Sequence, residues 1–463
     1  MRIRRKFFTV TLSIVLTLLF AVSAFAQGPS GTWTAWPFIQ NMDSEDATCV
    51  IDFYDEDATG TSPAHTIADF SIAGGTSELV PVYQTSALGS FSGSMVVSCD
   101  RQVAAVTNVV NEDGAGSSYV GANAGAASVS IPSVHTNDYG WFTEVSVQNV
   151  SSTEDAVVTV AFKASDRGAD YTPAAVTIKP GSVHRFDTYN YINQMDNVAD
   201  ANMGFVGGAT VTSTGGNVVA VAREWNSGDG VMTITYNGIP STEGGTTVYF
   251  PSQHNNNWDW NAWNFVFNSW DQAAQVSIEF TGKAAQAATI PANGSLTIAT
   301  QDYLGTEDYV GALKVTCTNC PADTKYLSGI TNEVNGNTKG ALSYNGFYEG
   351  SSTGIIFPSQ HNNNWGWNAY NFVQNLDDSE AKVHVEWVAA GDSVSAAPAG
   401  FDTTIPANGK LELHTYVYHG ANDFYGSLKV TSTNGAHIVA VSNEVNGQVS
   451  SMDASLSRGA IPE

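Results

Sequence analysis

Short runs in which apolar and polar residues alternate recur along the whole chain. Examples are VTVAF at 158–162, VSIEF at 276–280 and VHVEW at 383–387. This period of two is typical of strands with one buried face. Beyond residue 26, no stretch keeps a helical period over three turns. The pattern therefore predicts an all-β protein.

The sequence also repeats itself. Residues 250–265 read FPSQHNNNWDWNAWNF, and residues 357–372 share fourteen of these sixteen letters. A weaker copy begins at Ile131, and a truncated copy, TWTAWPFIQN, begins at Thr32. We number the copies repeat 1 (27–124), repeat 2 (125–240), repeat 3 (241–350) and repeat 4 (351–463). Each has the length of one small β-sandwich domain.

We therefore expect four tandem sandwiches, each with about seven strands in two packed sheets. A β-propeller is the alternative, but its blades are less than half as long as these repeats. Repeat 1 has no counterpart of the FPSQ stretch. It either lacks its first strand, leaving an open edge that invites strand addition, or closes with a shortened strand or a covering loop.

Two polar residue types recur at matching positions. His135, His254 and His361 align near the start of repeats 2, 3 and 4. Glu224, Glu333 and Glu444 align near the end of the same repeats, where repeat 1 has Val109. One histidine per repeat predicts no shared metal site, and asparagine, which follows His254 and His361, is a poor transition-metal ligand. A single carboxylate per repeat favours a structural role beside a turn.

The opening and closing motifs carry a resemblance. WNAYNFVQN at 367–375, together with NEVNG at 332–336 and YNGF at 344–347, is similar to tandem immunoglobulin-like repeats of bacterial cell-surface and secreted proteins. The resemblance covers the four repeats at the level of architecture. It implies immunoglobulin-like β-sandwiches and no defined activity.

The N-terminus reads as an export signal. Four of residues 2–6 are basic, residues 7–22 are almost wholly apolar, and Ala24-Phe25-Ala26 has the small residues of a cleavage site. We expect a signal peptide over 1–26 and a secreted protein; an uncleaved anchor is the alternative. No second long apolar stretch follows, so we expect no membrane insertion after cleavage.

The charge and composition of the chain restrict the classes of partner that we expect it to bind. The formal net charge is −26, which repels nucleic acid and anionic lipid, so we expect no nucleic-acid partner. The apolar fraction of 43% is too high for a disordered chain.

The four cysteines suit an oxidising compartment. Cys49 and Cys99 lie on predicted strands of repeat 1, where a bridge would fasten the incomplete repeat. Cys317 and Cys320 form CTNC at a turn, and without a second pair a disulfide is favoured over a redox or zinc site.

Aromatic residues alternate with Asn and Val in the repeat-opening strands. If the Val side faces the core, these rings form an outward stripe that could bind sugars or a neighbouring subunit. The alternative is that the rings are buried between sheets or between adjacent domains. The candidate ligand- or partner-binding residues are Trp36, Phe38, Trp263, Phe265, Phe267, Tyr370 and Phe372.

No hydrolase elbow, zinc-protease, phosphate-loop or dinucleotide motif is present, so we expect no catalytic residues, metal or cofactor. The acidic turns lack the pattern of a calcium loop. We predict an exported, non-catalytic structural or adhesive protein of the cell surface or of an extracellular matrix or filament. Its partners would be further copies of itself or other surface proteins. The alternative is an array of carbohydrate-binding modules that hold glycans on the aromatic stripe.

Overall fold

The computed structural model describes residues 16–20, 32–112, 116–197, 199–200, 202–228, 232–364, 366–389, 393 and 395–446; side chains are not described at 16–20, 166, 358 and 446. The protein is all-β, as the sequence predicts, with 60% of residues in strands and 5% in helices. The sheets are antiparallel and stack face to face in a sandwich-like manner.

Repeats 1, 3 and 4 each contribute two sheets, which we call the back sheet and the front sheet, and the single sheet of repeat 2 has two parts that correspond to them. In repeat 1 the back sheet has the order β1-β6-β3-β4 and the front sheet the order β5-β2-β7-β8. The strands are β1 (Leu16–Phe20), β2 (Trp33–Asn41), β3 (Ala47–Asp55), β4 (His65–Ile72), β5 (Ser77–Leu79), β6 (Gly93–Cys99), β7 (Val103–Asn111) and β8 (Gly116–Val120), with a 3-10 helix at Val82–Gln84.

In repeat 2 the back sheet is β12-β11-β14-β9 and the front sheet β13-β10-β15-β16, and pairing of β9 with β10 joins them into one nine-stranded sheet. The strands are β9 (Ser128–Asp138), β10 (Trp141–Asn149), β11 (Ala156–Arg167), β12 (Val176–Ile178), β13 (Val183–Asp187), β14 (Met203–Gly215), β15 (Val218–Asn226), β16 (Thr233–Asn237) and β17 (Ile239–Pro240). A 3-10 helix (Thr188–Tyr191) and α1 (Ile192–Met195) follow β13.

Repeats 3 and 4 keep the same strand order. In repeat 3 the back sheet is β18-β23-β20-β21 and the front sheet β22-β19-β24-β25. Its elements are β18 (Thr247–Asn255), β19 (Trp260–Asn268), β20 (Ala274–Phe280), β21 (Gln286–Ile290), β22 (Gly294–Ala299), α2 (Thr300–Leu304), β23 (Tyr309–Cys317), β24 (Leu327–Asn335) and β25 (Ala341–Asn345).

In repeat 4 the back sheet is β26-β31-β28-β29, and the described front sheet is β30-β27-β32. Its elements are β26 (Gly354–Asn362), β27 (Trp367–Asn375), β28 (Ala381–Ala389), β29 (Phe401–Ile405), β30 (Lys410–His414), α3 (Thr415–His419), β31 (Phe424–Ser432) and β32 (Ile438–Asn446). Across the described parts of the chain, no helix is long and apolar enough to span a bilayer.

Alternation along the strands builds one core inside each pair of sheets. In β20, Val276, Ile278 and Phe280 are buried, while the residues between them are not. Val266 of β19 and Leu313 of β23 join the same core from the facing sheets. A period of two thus places one side of each strand inside the repeat, as the sequence predicts.

The repeats are stacked sheet on sheet. The back sheet of repeat 2, through β11, β14 and β9, packs on the front sheet of repeat 3, through β22, β19 and β24. The back sheet of repeat 3 meets β27 and β32 of repeat 4 through β18. The front sheet of the following repeat therefore covers the outer faces of the back sheets of repeats 2 and 3, and side chains of two repeats meet at these junctions.

The predicted signal peptide, 1–26, lies outside the described residues apart from the backbone of 16–20. That short segment, β1, pairs with β6 at the place that β18 takes beside β23 in repeat 3. Among the described residues, only this segment, which precedes repeat 1, occupies the first-strand position beside β6. Removal of residues 1–26 would leave that edge of β6 without it.

Both predicted disulfides are present. Cys49 and Cys99 lie opposite each other on β3 and β6 and form one bridge, and Cys317 and Cys320 form the other across a turn. The first bridge joins strands fifty residues apart in the sequence. It fastens the back sheet of repeat 1, the sheet whose first strand comes from the predicted signal peptide.

Candidate functional site: the polar and aromatic junctions

A β-bulge in β18 prepares the junction of repeats 3 and 4. The pairing of β18 with β23 shifts register between Phe250 and Gln253. Phe250 belongs to the core of repeat 3, and Gln253 bonds to the buried Asn264 on the inside. The extra residue turns Ser252 and His254 to the outer face, where simple alternation would have kept them beside Phe250. β26 has the same shift between Phe357 and Gln360.

At the junction of repeats 2 and 3, three side chains of repeat 2 meet two of repeat 3. Ser133 Oγ lies 3.1 Å from His135 Nε2, and this nitrogen lies 3.8 Å from Glu224 Oε2. From repeat 3, the Asn332 amide donates a 2.8 Å hydrogen bond to the same Glu224 oxygen. The Phe265 ring meets the His135 ring edge-on, with centroids 5.4 Å apart.

The junction of repeats 3 and 4 reproduces this arrangement. Ser252 Oγ lies 3.2 Å from His254 Nε2, and Glu333 Oε2 lies 3.6 Å from that nitrogen. Asn443 of repeat 4 donates a 2.8 Å hydrogen bond to Glu333 Oε2, and Phe372 meets His254 edge-on at 5.3 Å. We call this set of five side chains the junction cluster.

Burial shifts the pKa values of ionisable groups in the two clusters. It raises the pKa of the Glu333 carboxyl to about 8 and lowers the pKa of His254 to about 4. Both groups are therefore neutral near pH 7. Burial also raises the pKa of Glu224. A neutral acid and a neutral imidazole can be enclosed between sheets at far lower cost than an ion pair.

Repeat 2 differs at one position beside its histidine. His135 Nδ1 lies 3.2 Å from Asp138 Oδ2, where repeats 3 and 4 place Asn257 and Asn364. Burial is the strongest influence on His135 and by itself lowers the pKa, but Glu224 and Asp138 together outweigh it. The pKa of His135 is raised as a result.

Ser133, His135 and Asp138 form a hydrogen-bonded chain of the kind used by serine hydrolases. Ser133 is fully buried, however, so its hydroxyl cannot reach a substrate. The matching chains in repeats 3 and 4 end in an amide, which cannot stabilise an imidazolium as a carboxylate does. The arrangement therefore fits a polar contact between sheets better than a nucleophile.

A cavity of about 510 Å³ lies beside the junction cluster of repeats 2 and 3. His135, Asp138 and Arg167 line it from repeat 2, and Trp263 and Asp302 line it from repeat 3. Arg167 donates a 2.7 Å hydrogen bond to Asp138, which fixes both side chains at the wall. Among the described residues, no group of three or more His, Cys, Asp or Glu side chains could hold a metal ion.

The candidate aromatic residues are buried or partly buried in repeats 3 and 4 and remain accessible in repeat 1. Phe265, Phe267 and Phe372 do not form an exposed surface, because the preceding repeat covers them; they are 2%, 0% and 1% exposed. Trp263 and Tyr370 are partly buried against the same neighbours. In repeats 3 and 4 the Val side faces the core and the rings meet another repeat, which is the burial between adjacent domains that the sequence left open as the alternative.

Repeat 1 keeps its stripe accessible. Phe38 on β2 is 36% exposed, and Trp36 is partly exposed with its ring 4.5 Å from that of Tyr83.

The junction of repeats 1 and 2 is built differently. Val109 stands at the Glu position, and Ser146 and Arg223 stand at the positions of Phe265 and Asn332. The Arg223 guanidinium lies over the Trp33 ring at 3.9 Å. Arg185 pairs with Glu56 of repeat 1, its Nε donating a 2.6 Å hydrogen bond. Cation–π and ionic contacts replace the junction cluster here.

The recurring histidines and glutamates were visible in the sequence, yet the prediction treated them separately. One histidine and one glutamate of the same repeat in fact meet, and a residue of the next repeat joins them. The prediction that each glutamate sits beside a turn missed this contact. The shared period of the His and Glu positions was the signal that could have linked them.

No protein-family model matches this chain, and no match was found among curated proteins.

Proposed function

We propose that the protein is an exported, non-catalytic structural element in which four β-sandwich domains of immunoglobulin-like type form one continuous stack at the cell surface or in an extracellular matrix or filament. The observation that carries this proposal is the junction cluster, which recurs with the same residue types and distances at two successive junctions. The serine, histidine and glutamate side chains, which are residue types that enzymes use in catalysis, are enclosed between repeats here.

Three further features support the proposal. The basic and apolar N-terminal segment has the form of an export signal. Both disulfides are compatible with an extracellular protein. Between repeats, Asn345 of repeat 3 donates a 3.0 Å hydrogen bond to the Asn237 carbonyl, and Asn237 donates a 2.8 Å bond to the Val120 carbonyl of repeat 1. These bonds restrain the angle between neighbours.

The proposal is tested by comparing the exported protein with Phe372→Asp in solution scattering. We expect the wild type to give the narrow distance distribution of a fixed stack. The variant should give a broader one, because it buries a charge at the junction of repeats 3 and 4. Trp258→Asp, at an 85% exposed turn position, is the control and should scatter like the wild type.

The carbohydrate-binding alternative has its best support in repeat 1, where Trp36 and Phe38 remain accessible. A glycan array distinguishes the two functions. Specific glycan binding that is lost in Phe38→Ala would overturn the structural role in favour of the alternative. A broad distance distribution for the wild type would overturn the fixed stack.

A further inference from the structure

The junction cluster has two parts: Ser, His and Glu of the preceding repeat, and Asn and Phe of the following repeat. Repeats 3 and 4 bury their Asn and Phe part, whereas repeat 1 carries this part on an exposed front sheet. In repeat 3 Trp263 lies opposite Asn332, and in repeat 4 Tyr370 lies opposite Asn443. In repeat 1 Trp36 lies opposite Asn108 at the same register, and Phe38 follows two residues later. The positions that contact a preceding repeat are thus occupied by the same residue types.

These residues occupy equivalent positions but differ in how far they are exposed to solvent. Phe265 and Phe372 are 2% and 1% exposed, whereas Phe38 is 36% exposed. Asn332 and Asn443 are buried as well, while Asn108 is only partly buried. The difference arises because, in the described part of the chain, no back sheet packs on the front sheet of repeat 1.

Repeat 4 carries the other half. Ser359 Oγ lies 3.1 Å from His361 Nε2, and that nitrogen lies 3.8 Å from Glu444 Oε2. These distances match those of the two enclosed clusters. The histidine ring lies against Tyr425 of its own repeat, with centroids 4.9 Å apart, and not against a phenylalanine of another repeat.

The outer face around this cluster resembles a junction face. Val388 is 51% and Tyr425 36% exposed, and no described sheet packs on them. Glu386 lies opposite Lys429, as Glu279 lies opposite Lys314 in repeat 3. Lys314 Nζ donates a 3.3 Å hydrogen bond to Asn408 across the junction of repeats 3 and 4. Lys429 is therefore the counterpart of a residue that already crosses a junction.

We propose that the partner of this surface is a second copy of the chain: the front sheet of repeat 1, through Trp36, Phe38 and Asn108, docks on the back sheet of repeat 4, around Ser359, His361 and Tyr425, of another molecule. The contact continues the stacking of repeats 2, 3 and 4 from one molecule to the next. It rests on the proposed structural function and names its partner. Because the two faces differ, the contact is heterologous, and copies that do not close into a ring extend head to tail as an open filament.

The test uses the purified exported protein in sedimentation velocity over a range of concentrations. The wild type should form a concentration-dependent series of oligomers. Phe38→Glu and Tyr425→Glu, which place a charge in the front and back faces, should each raise the apparent Kd by at least about tenfold. Tyr425→Val introduces the residue type of Val310 in repeat 3 and should keep assembly. Trp258→Glu, on an exposed turn, is the control.

Mixing the two charged variants gives the decisive result. Each retains one working face, so an equimolar mixture should form a heterodimer and stop there. Circular dichroism verifies folding, and both substituted side chains are partly exposed, so the core is not altered. A monomeric wild type, unchanged assembly in Phe38→Glu, or a mixture without heterodimer would overturn the head-to-tail contact. None of these results would remove the fixed stack within one molecule, whose own test is the scattering of Phe372→Asp.

Discussion

The side-chain amide of Asn443 in repeat 4 donates a 2.8 Å hydrogen bond to Oε2 of the buried Glu333 in repeat 3. Asn332 and Glu224 make the same bond one repeat earlier. Repeats 3 and 4 thus each donate a hydrogen bond to a buried carboxyl oxygen of the preceding repeat. Since water cannot reach these atoms, the stability of one repeat depends on residues of the next.

Replacing this donor should weaken the junction. In Asn443→Ala the Glu333 oxygen loses its amide donor while staying buried, so the free energy of unfolding of repeats 3 and 4 should fall by about 1–3 kcal/mol. Urea denaturation followed by tryptophan fluorescence measures the change. Asn337→Ala, which removes an exposed amide of the same repeat as Glu333, is the control. Equal losses in the two variants would contradict the role of the bond.

The carboxyl of Glu333 should make stability depend on pH. Burial raises its pKa from 4.5 to about 8, so the folded chain keeps a proton that the unfolded chain releases. The contribution is complete below pH 4.5 and is lost as the pH rises through about 8. Glu333→Gln cannot ionise, and its unfolding free energy should decline less between pH 6.5 and 8.

This pH range keeps a second group out of the measurement. His254, which faces Glu333 together with Ser252 and Asn443, has its pKa lowered to about 4 by burial, and its contribution is lost only as the pH falls from 6.5 towards 4. Glu243→Gln, at an exposed turn, provides the control in urea denaturation. A pH profile of Glu333→Gln that coincides with the wild type would refute the prediction.

Exchanging Asp138 for the amide of the other repeats should change the titration of His135. In Asp138→Asn the neighbouring carboxylate that helps raise the pKa of His135 is removed, while burial and Arg167, which both lower the pKa, remain. The pKa should therefore move down, towards the behaviour of His254 beside Asn257. NMR titration of the imidazole protons measures the shift. The imidazole signals of His437, an exposed histidine of repeat 4, serve as the internal reference of the spectra.

The two disulfides should contribute unequally. In the chain-entropy view, the Cys49–Cys99 bridge closes a loop of fifty residues and contributes about 4 kcal/mol, and the bridge between Cys317 and Cys320 contributes less because its loop is short. The double variant Cys49→Ala with Cys99→Ala should accelerate amide hydrogen exchange in β3 and β6. The corresponding double variant at Cys317 and Cys320 is the matched comparison, and equal acceleration in both would contradict this account.

Local patterns were enough to predict the strands, but they left open which side of the aromatic strands faces the core. In the structure Val266 and Val373 are buried inside their own repeats. What covers the opposite side was beyond this pattern. The contacts of Phe265 with His135 and of Phe372 with His254 join residues more than a hundred positions apart, and they depend on how whole sheets stack.

The junction cluster was hidden for a second reason. Alternation from Phe250 would place His254 on the core side, and only the bulge at Pro251 and Ser252 turns it outwards. A bulge has a weak sequence signal, here a proline within a strand. The recurrence of the letters PSQH in repeats 3 and 4 shows that something is shared, but not which face it changes.

Because two neighbouring repeats contribute side chains to one shared cluster, such a protein can change its number of repeats. A gene duplication that adds a further copy of repeat 3 would insert a segment whose two boundaries are already complementary to those beside it. Deletion of repeat 3 itself would join repeat 2 to repeat 4, and Asn443 and Phe372 match what Glu224 and His135 require. The length of the stack could therefore change in evolution or by engineering in steps of one repeat, and no new kind of contact would have to arise.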